Sequence, residues 1–313
     1  MEEISAKRNN PILVTGMHRS GTTWVGKMIA ANKQFAYISE PLNVLHRPGV
    51  FQHNIQYWYT YINQKNEAAY LPAFKDTISF RYHVLSELQA LHFPKDFFRM
   101  IRDWSSFTKG RLQNKRALIK DPFAIFSSQW FAERLNCQVV IVVRHPAAVI
   151  NSMKRLGWNF NFQDLLTQRE LLEDWLSPYQ EEIYQVSKHK SDIILQGSLL
   201  WKIIYGTVAQ YQKFNLGFHI YRHEDLSRNP LESYHALYHD LDLRFTRNVK
   251  DVIREYSDSK NPKNLSSNKT HSVRLNSSAN IKNWKDSLET SEITQIRKLT
   301  KEIARQYYSN EDW

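Results

Sequence analysis

The sequence predicts an α/β fold, a single domain over residues 1–313 built as a parallel sheet flanked by helices on both faces. Three observations carry this. The stretch PILVTGMHRSGTTWVGKM (11–28) runs from a short apolar, β-branched segment through a glycine-bounded loop into the spacing Trp24, Val25, Met28, Ile29, which is helical. The run QVVIVV (138–143) is continuously apolar, as a strand covered on both faces must be. Further short strands at 35–39, 117–120 and 218–221 are separated by helical stretches, the alternation that produces parallel sheets.

The composition fits one large domain: 313 residues, 42% hydrophobic, with a formal net charge of +11. That charge calls for a partner of opposite sign, a polyphosphorylated nucleotide, an anionic glycan, nucleic acid or a membrane surface, without choosing among them. Cys137 is the lone cysteine, which excludes an intrachain disulfide and points to a small buried hydrophobe. The polar start MEEISAKRNN and the lack of any window of roughly eighteen apolar residues argue against a signal segment or membrane span, so a cytoplasmic location is expected. No CxxC or HExxH set is present, and no metal cofactor is expected.

The loop after the first strand sets the chemistry. Backbone N–H groups at the start of a helix hold phosphate or sulfate. A Walker A loop reads GxxxxGK[ST]; GMHRSGTT (16–23) keeps the glycine spacing but has Thr22 in the lysine's place, and Arg19 supplies the cation. The helix over 21–31 stops near Asn32, and the strand FAYIS (35–39) delivers Glu40 to its carboxyl tip, where α/β sheets bind ligands. A surface or capping glutamate is the competing reading. Residues 42–97 are aromatic and irregular, with His46, His53, Tyr57, Trp58, Tyr59 and Tyr61 crowded together; they line an acceptor pocket or bury an aromatic face. Phe80, Val84, Leu85, Leu88 and Leu91 give a helical spacing that Pro94 is expected to end.

The strand ALIK (117–120) places Lys120 at a tip, with Pro122 forcing a break. The strand 138–143 ends at Arg144-His145-Pro146, and a helix over 147–156 carries Ser152, eight residues beyond Arg144. An arginine at a strand tip forks onto a phosphate, and a serine two turns along the helix can face the same ligand. Residues 162–214 read as helical. After the strand 218–221 comes HEDL (223–226), then a helix over 231–241, and 257–283 is a long polar stretch with Lys263, Lys269, His271 and Arg274.

RSGTTW (19–24) and RHPAAVINS (144–152) resemble the two nucleotide signatures of the PAPS-dependent sulfotransferases, the [KR]SGTT[WL] loop and the RDPxxxxxS motif. His145 replaces the aspartate of the second signature, and His223 stands where the family's YEDL has tyrosine. The resemblance implies a P-loop-like fold and transfer of a sulfuryl group from PAPS to a hydroxyl or amine, leaving PAP, with no metal. It implies that Ser20, Gly21, Thr22 and Thr23 with Arg19 grip the 5′-phosphosulfate, Trp24 the adenine, and Arg144 with Ser152 the 3′-phosphate. Arg19 and Lys120 would stabilise the leaving group, and Glu40 would be the general base, with His46 and His53 as competitors. It implies that 257–283 closes over the nucleotide, secured by Trp284 of the pair Trp284-Lys285. The expected partner is an acceptor, favoured to be a glycan, rather than nucleic acid. A magnesium-dependent P-loop kinase and a non-catalytic binder of PAP or sulfated glycans are the alternatives.

Overall fold

The structure, a computed structural model, describes residues 10–189, 192–262, 274 and 276–313. Five parallel strands, β1 (Ile12–Gly16), β2 (Phe35–Ser39), β3 (Arg116–Lys120), β4 (Gln138–Val143) and β5 (His219–Arg222), form one sheet in the order β2-β3-β1-β4-β5. Side chains alternate across a strand, and each face has its own core. Leu13, Ile119 and Ile141 point into the larger cluster, shared with the buried helix Ile193–Lys213; Ile12, Val14, Leu118, Val140 and Val142 point into the other. The apolar runs are therefore continuous because both faces are buried, as read from the sequence.

The helices are α1 (Thr22–Ala30), α2 (Glu67–Ile78), α3 (Val84–Gln89), α4 (Pro94–Leu112), α5 (Ser128–Leu135), α6 (Pro146–Leu156), α7 (Ile193–Lys213), α8 (Pro230–Asp240), α9 (Arg247–Ser257) and α10 (Thr290–Ala304). Between α6 and α7 lie short helical segments, Gln180–Ser187 the longest, and a further short helix, His223–Arg228, follows β5.

One expectation is corrected. The spacing that placed a helix over 80–91, ended by Pro94, is broken at both ends. Phe80 sits in the left-handed region at φ 55°, between α2 and α3, and Pro94 occupies the first turn of α4, where its missing N–H costs nothing. Among the described residues no helix is long and apolar enough to cross a membrane.

Parallel strands put all carboxyl ends on one edge. The register pairs Ser39 and Val14 with Lys120, Gly16 with Val142, and Val143 with Arg222. Glu40, Lys120, the loop after β1, Arg144 and His223 consequently share that edge.

Candidate active site

A cavity of about 930 Å³ opens on this edge, at the upper end of the roughly 300–1,000 Å³ typical of small-ligand sites. Its floor is the start of α1. Gly21 is the N-cap at φ 97°, and no side chain caps the helix, so the first-turn N–H groups beside Gly21, Thr22 and Thr23 face a cavity that those residues line. Glycine is required here twice over. Any other residue would be strained at that φ, and a Cβ would lie 2.3 Å from Cδ2 of His223. Ser20, also expected in the loop's grip, is wholly buried beneath it and does not line the cavity.

Two tyrosines hold the loop in place from below. Tyr205 donates to the Val142 carbonyl (3.0 Å) and accepts from the Met17 N–H (3.4 Å). Tyr59 accepts from the His18 N–H (3.2 Å) and lies 2.6 Å from His18 Nδ1. Burial, then Arg19, lowers the His18 pKa to about 4, so the ring is neutral. His18 lines the cavity although the sequence reading passed over it; its place between Gly16 and Arg19, at a strand tip, was the available signal.

The cations gather on one side. Arg19, at φ 69°, donates to Ser152 Oγ from Nε (2.9 Å), while Arg144 donates to the Arg19 carbonyl (3.0 Å). Arg155 lines the same wall. Burial, then Arg144 and Arg155, pull the Arg19 pKa down to about 10. Three guanidinium groups drawn together at such a cost are arranged for a multiply charged anion. The structure thus brings Arg19, Arg144 and Ser152 into one hydrogen-bonded cluster, although the two signatures that supply them lie more than a hundred residues apart.

Trp24 sits at the opposite end of the loop, its ring 5.6 Å from His223 and 5.4 Å edge-on from Tyr234. His223 is buried and held neutral by that burial. Ser227, Tyr256, Ser277, Asn280 and Asn283 complete this wall. Lys263, Lys269 and His271 lie outside the described residues; Arg274 pairs with Glu255 at 2.6 Å and covers the Tyr256 ring.

His145, which stands where the resembled signature has aspartate, is packed among aromatic rings. Its ring stacks on Trp284 at 4.8 Å and 7°, with Tyr308 and Trp313 against its edges, and burial lowers its pKa to about 3. At the start of α6, Glu224 accepts from the His145 N–H (3.0 Å) and from the Tyr308 hydroxyl (2.9 Å). Trp284 is fully buried in this stack and fixes the chain that follows the polar stretch.

On the far side, Glu40 (φ 51°) lines the cavity and pairs with Lys120 through Oε1, while Asn43 donates to Oε2 at 2.7 Å. Lys120 itself is buried and does not line the cavity, so Glu40 stands between it and the ligand space. Gly26 in α1 lets the lysine stem pack within about 3.3 Å of where a Cβ would be. Asp121 fixes the turn after Glu40 by accepting from the Leu42 N–H (2.6 Å) and the Phe123 N–H (3.0 Å); burial, then Glu40, raises its pKa to about 7. Non-glycine residues at positive φ cost energy, and both Arg19 and Glu40 are held there by these contacts.

Of the aromatic cluster after Glu40, only Trp58 reaches the cavity, where it meets Phe123 at 4.5 Å and is joined by Trp158 and Phe160. Tyr59 and Tyr61 are buried core, and His46 and His53 pack on Phe51 and Tyr70 and do not line the cavity. Most of that cluster is thus the buried-face alternative, carried by loop rather than helix. Among the described residues no group of acidic, His and Cys side chains is arranged to hold a metal.

The chain is similar, at low identity, to several solved structures. A sulfotransferase domain from the curacin biosynthetic pathway is 15% identical with a TM-score of 0.47, the alignment covering 96% of this chain and 98% of that one. A mouse sulfotransferase, SULT7A1, solved as a complex with PAP, is 12% identical (TM-score 0.44, 96% and 85% covered), and STF9 from Mycobacterium avium is 13% identical (TM-score 0.41, 96% and 77%). No curated protein matches. A family model described as the sulfotransferase domain matches residues 9–308, nearly the whole chain, and the protein belongs to that family.

Proposed function

We propose that this protein transfers a sulfuryl group from PAPS to an acceptor hydroxyl, or amine, releasing PAP, and that the acceptor is a glycan. The observation that supports it most is the pairing of an uncapped helix N-terminus with the Arg19–Ser152–Arg144 cluster in one cavity. A donor with phosphate-type charge at both its 5′ and 3′ positions uses both; a simple nucleoside diphosphate uses one.

In this reading the N–H groups beside Gly21, Thr22 and Thr23 hold the 5′ end, Arg144, Ser152 and Arg155 the 3′-phosphate, and Trp24 the adenine. Arg19 spans the two. In-line displacement builds negative charge on the leaving phosphate, which preorganised cations stabilise. Glu40 takes the acceptor proton. As its charge is neutralised its hold on Lys120 weakens, and the ammonium is released toward the charge growing on the donor. Glu40 also separates the lysine from the cavity until that moment. The aromatic wall of Trp58, Phe123, Trp158 and Phe160 supplies faces for sugar rings.

Sulfur-labelled PAPS offered with pools of glycans, phenols, lipids and peptides tests this. Label is expected in the glycan pool without added magnesium. PAP binding with no label in any pool would leave a non-catalytic binder, and magnesium-dependent transfer from ATP would make it a kinase.

A further inference from the structure

Helices α3 and α4 carry a surface that the reaction does not use. Along α4, Phe97, Phe98, Ile101 and Trp104 are exposed, Phe98 by 71% and Trp104 by 51%, and on α3 Leu85 (77%) and Leu88 (45%) are exposed too. Phe97, Ile101 and Trp104 recur at helical spacing, on a different side of the helix from Met100, Phe107 and Gly110, which face the protein. Monomeric proteins seldom leave aromatic side chains of this size in water together. The charges are equally lopsided. Between Pro94 and Leu112 there are five basic side chains, Lys95, Arg99, Arg102, Lys109 and Arg111, against Asp96 and Asp103. Asp103 is taken up by Arg102 (2.8 Å) and Asp96 faces both Arg47 and Arg99 (3.5 Å each), so the helix carries a net excess of positive charge. Basic residues beside an aromatic stripe, on a helix packed to the body only by its other side, have the make-up of a segment lying in a membrane interface.

We propose that α3 and α4 dock this protein on an anionic lipid surface, the aromatic side chains entering the headgroup region and the basic ones meeting lipid phosphates. Charge complementarity selects this occupant. A second copy would set one net-positive surface against another, whereas an anionic bilayer answers both the charge and the apolar stripe. The surface is tied firmly to the cavity rim. Arg47 pairs with Glu87 of α3 and donates to the Asp96 carbonyl of α4 (3.1 Å), and Glu87 also accepts from the Gly49 N–H (2.8 Å). Two residues before Arg47, Leu45 is 81% exposed while lining the cavity. Docking would therefore hold the rim beside the bilayer, within reach of an acceptor carried on a lipid. The proposal does not depend on the identity of the donor.

Co-sedimentation with vesicles tests it, using phosphatidylcholine alone and phosphatidylcholine mixed with phosphatidylglycerol. The protein is expected to pellet with the mixed vesicles, to bind less as salt is raised, and to lose at least ~10-fold in partitioning when Phe98 and Trp104 are both replaced by serine. Both side chains are exposed, so the variant should melt like the wild type, which serves as the folding control. Three results overturn the proposal: no pelleting with anionic vesicles, equal pelleting by the double variant, or a concentration-dependent dimer in light scattering that the double variant abolishes while vesicles stay bare.

Discussion

Replacing Glu40 by glutamine separates its two roles. The substitution leaves the Lys120 ammonium, whose side chain is 3% exposed, without its partner. Removing one member of a buried pair costs roughly 3–5 kcal/mol, and because the Glu40 side chain is 22% exposed the lower figure, about 3 kcal/mol, applies. Lys120→Met alone should cost less, about 1 kcal/mol, since Glu40 can turn to water and keeps Asn43. With both replaced, the buried charge is gone and the double variant should recover to about the 1 kcal/mol loss of Lys120→Met alone, giving a coupling of about 3 kcal/mol in urea denaturation. Turnover should behave differently. Glu40→Gln lowers kcat by ~10²-fold or more, and Lys120→Met in the same chain restores stability without restoring rate, because no base has been returned. His46→Ala and His53→Ala should leave kcat unchanged, as neither lines the cavity. Additive stabilities would refute the pairing. Normal turnover by Glu40→Gln, with an inactive His46 or His53 variant, would refute the base.

Two further perturbations address the scaffold. Gly21→Ala forces a Cβ onto His223 at a left-handed φ, at a cost of ~1–2 kcal/mol for the backbone alone; thermal melting should show the loss, and His223→Ala in the same chain should relieve only the clash. An unchanged melting temperature for Gly21→Ala would contradict the geometry. His145 is neutral in the fold, with a pKa near 3 against an ordinary 6.5, so its contribution is complete above pH 6.5 and is lost as pH falls. Protonation of the unfolded chain alone amounts to about 2 kcal/mol between pH 8 and pH 5. His145→Phe, which keeps the stack on Trp284, should flatten the acid limb of stability by that amount, and an unaltered limb would place the titration elsewhere.

The strands were legible because burial on both faces writes itself as unbroken apolar sequence, and the two anion-binding segments because each is local: a loop or helix start with its cation a few residues away. What was not legible is nonlocal. Nothing near His145 announces that Glu224, seventy-nine residues on, accepts its N–H at the start of α6, or that Trp284 covers the imidazole. Helix α4 was missed for another reason. Its exposed aromatic residues blur the division into apolar and polar faces, and Pro94 looked like a terminator when it is a first-turn residue. Lys120 was correctly placed at a strand tip, but its burial behind Glu40 depends on a pairing between strands far apart in sequence.

The central claim is that one cavity recognises phosphate at both ends of the donor, and calorimetry with PAP and ADP in the absence of magnesium tests it most directly. PAP should bind more tightly by ~10-fold or more, since a hydrogen bond to a charged group contributes about 1.5–3 kcal/mol, and Arg144→Ala should erase most of that difference while leaving ADP nearly unaffected. Equal affinities for PAP and ADP in the wild-type protein would contradict the account.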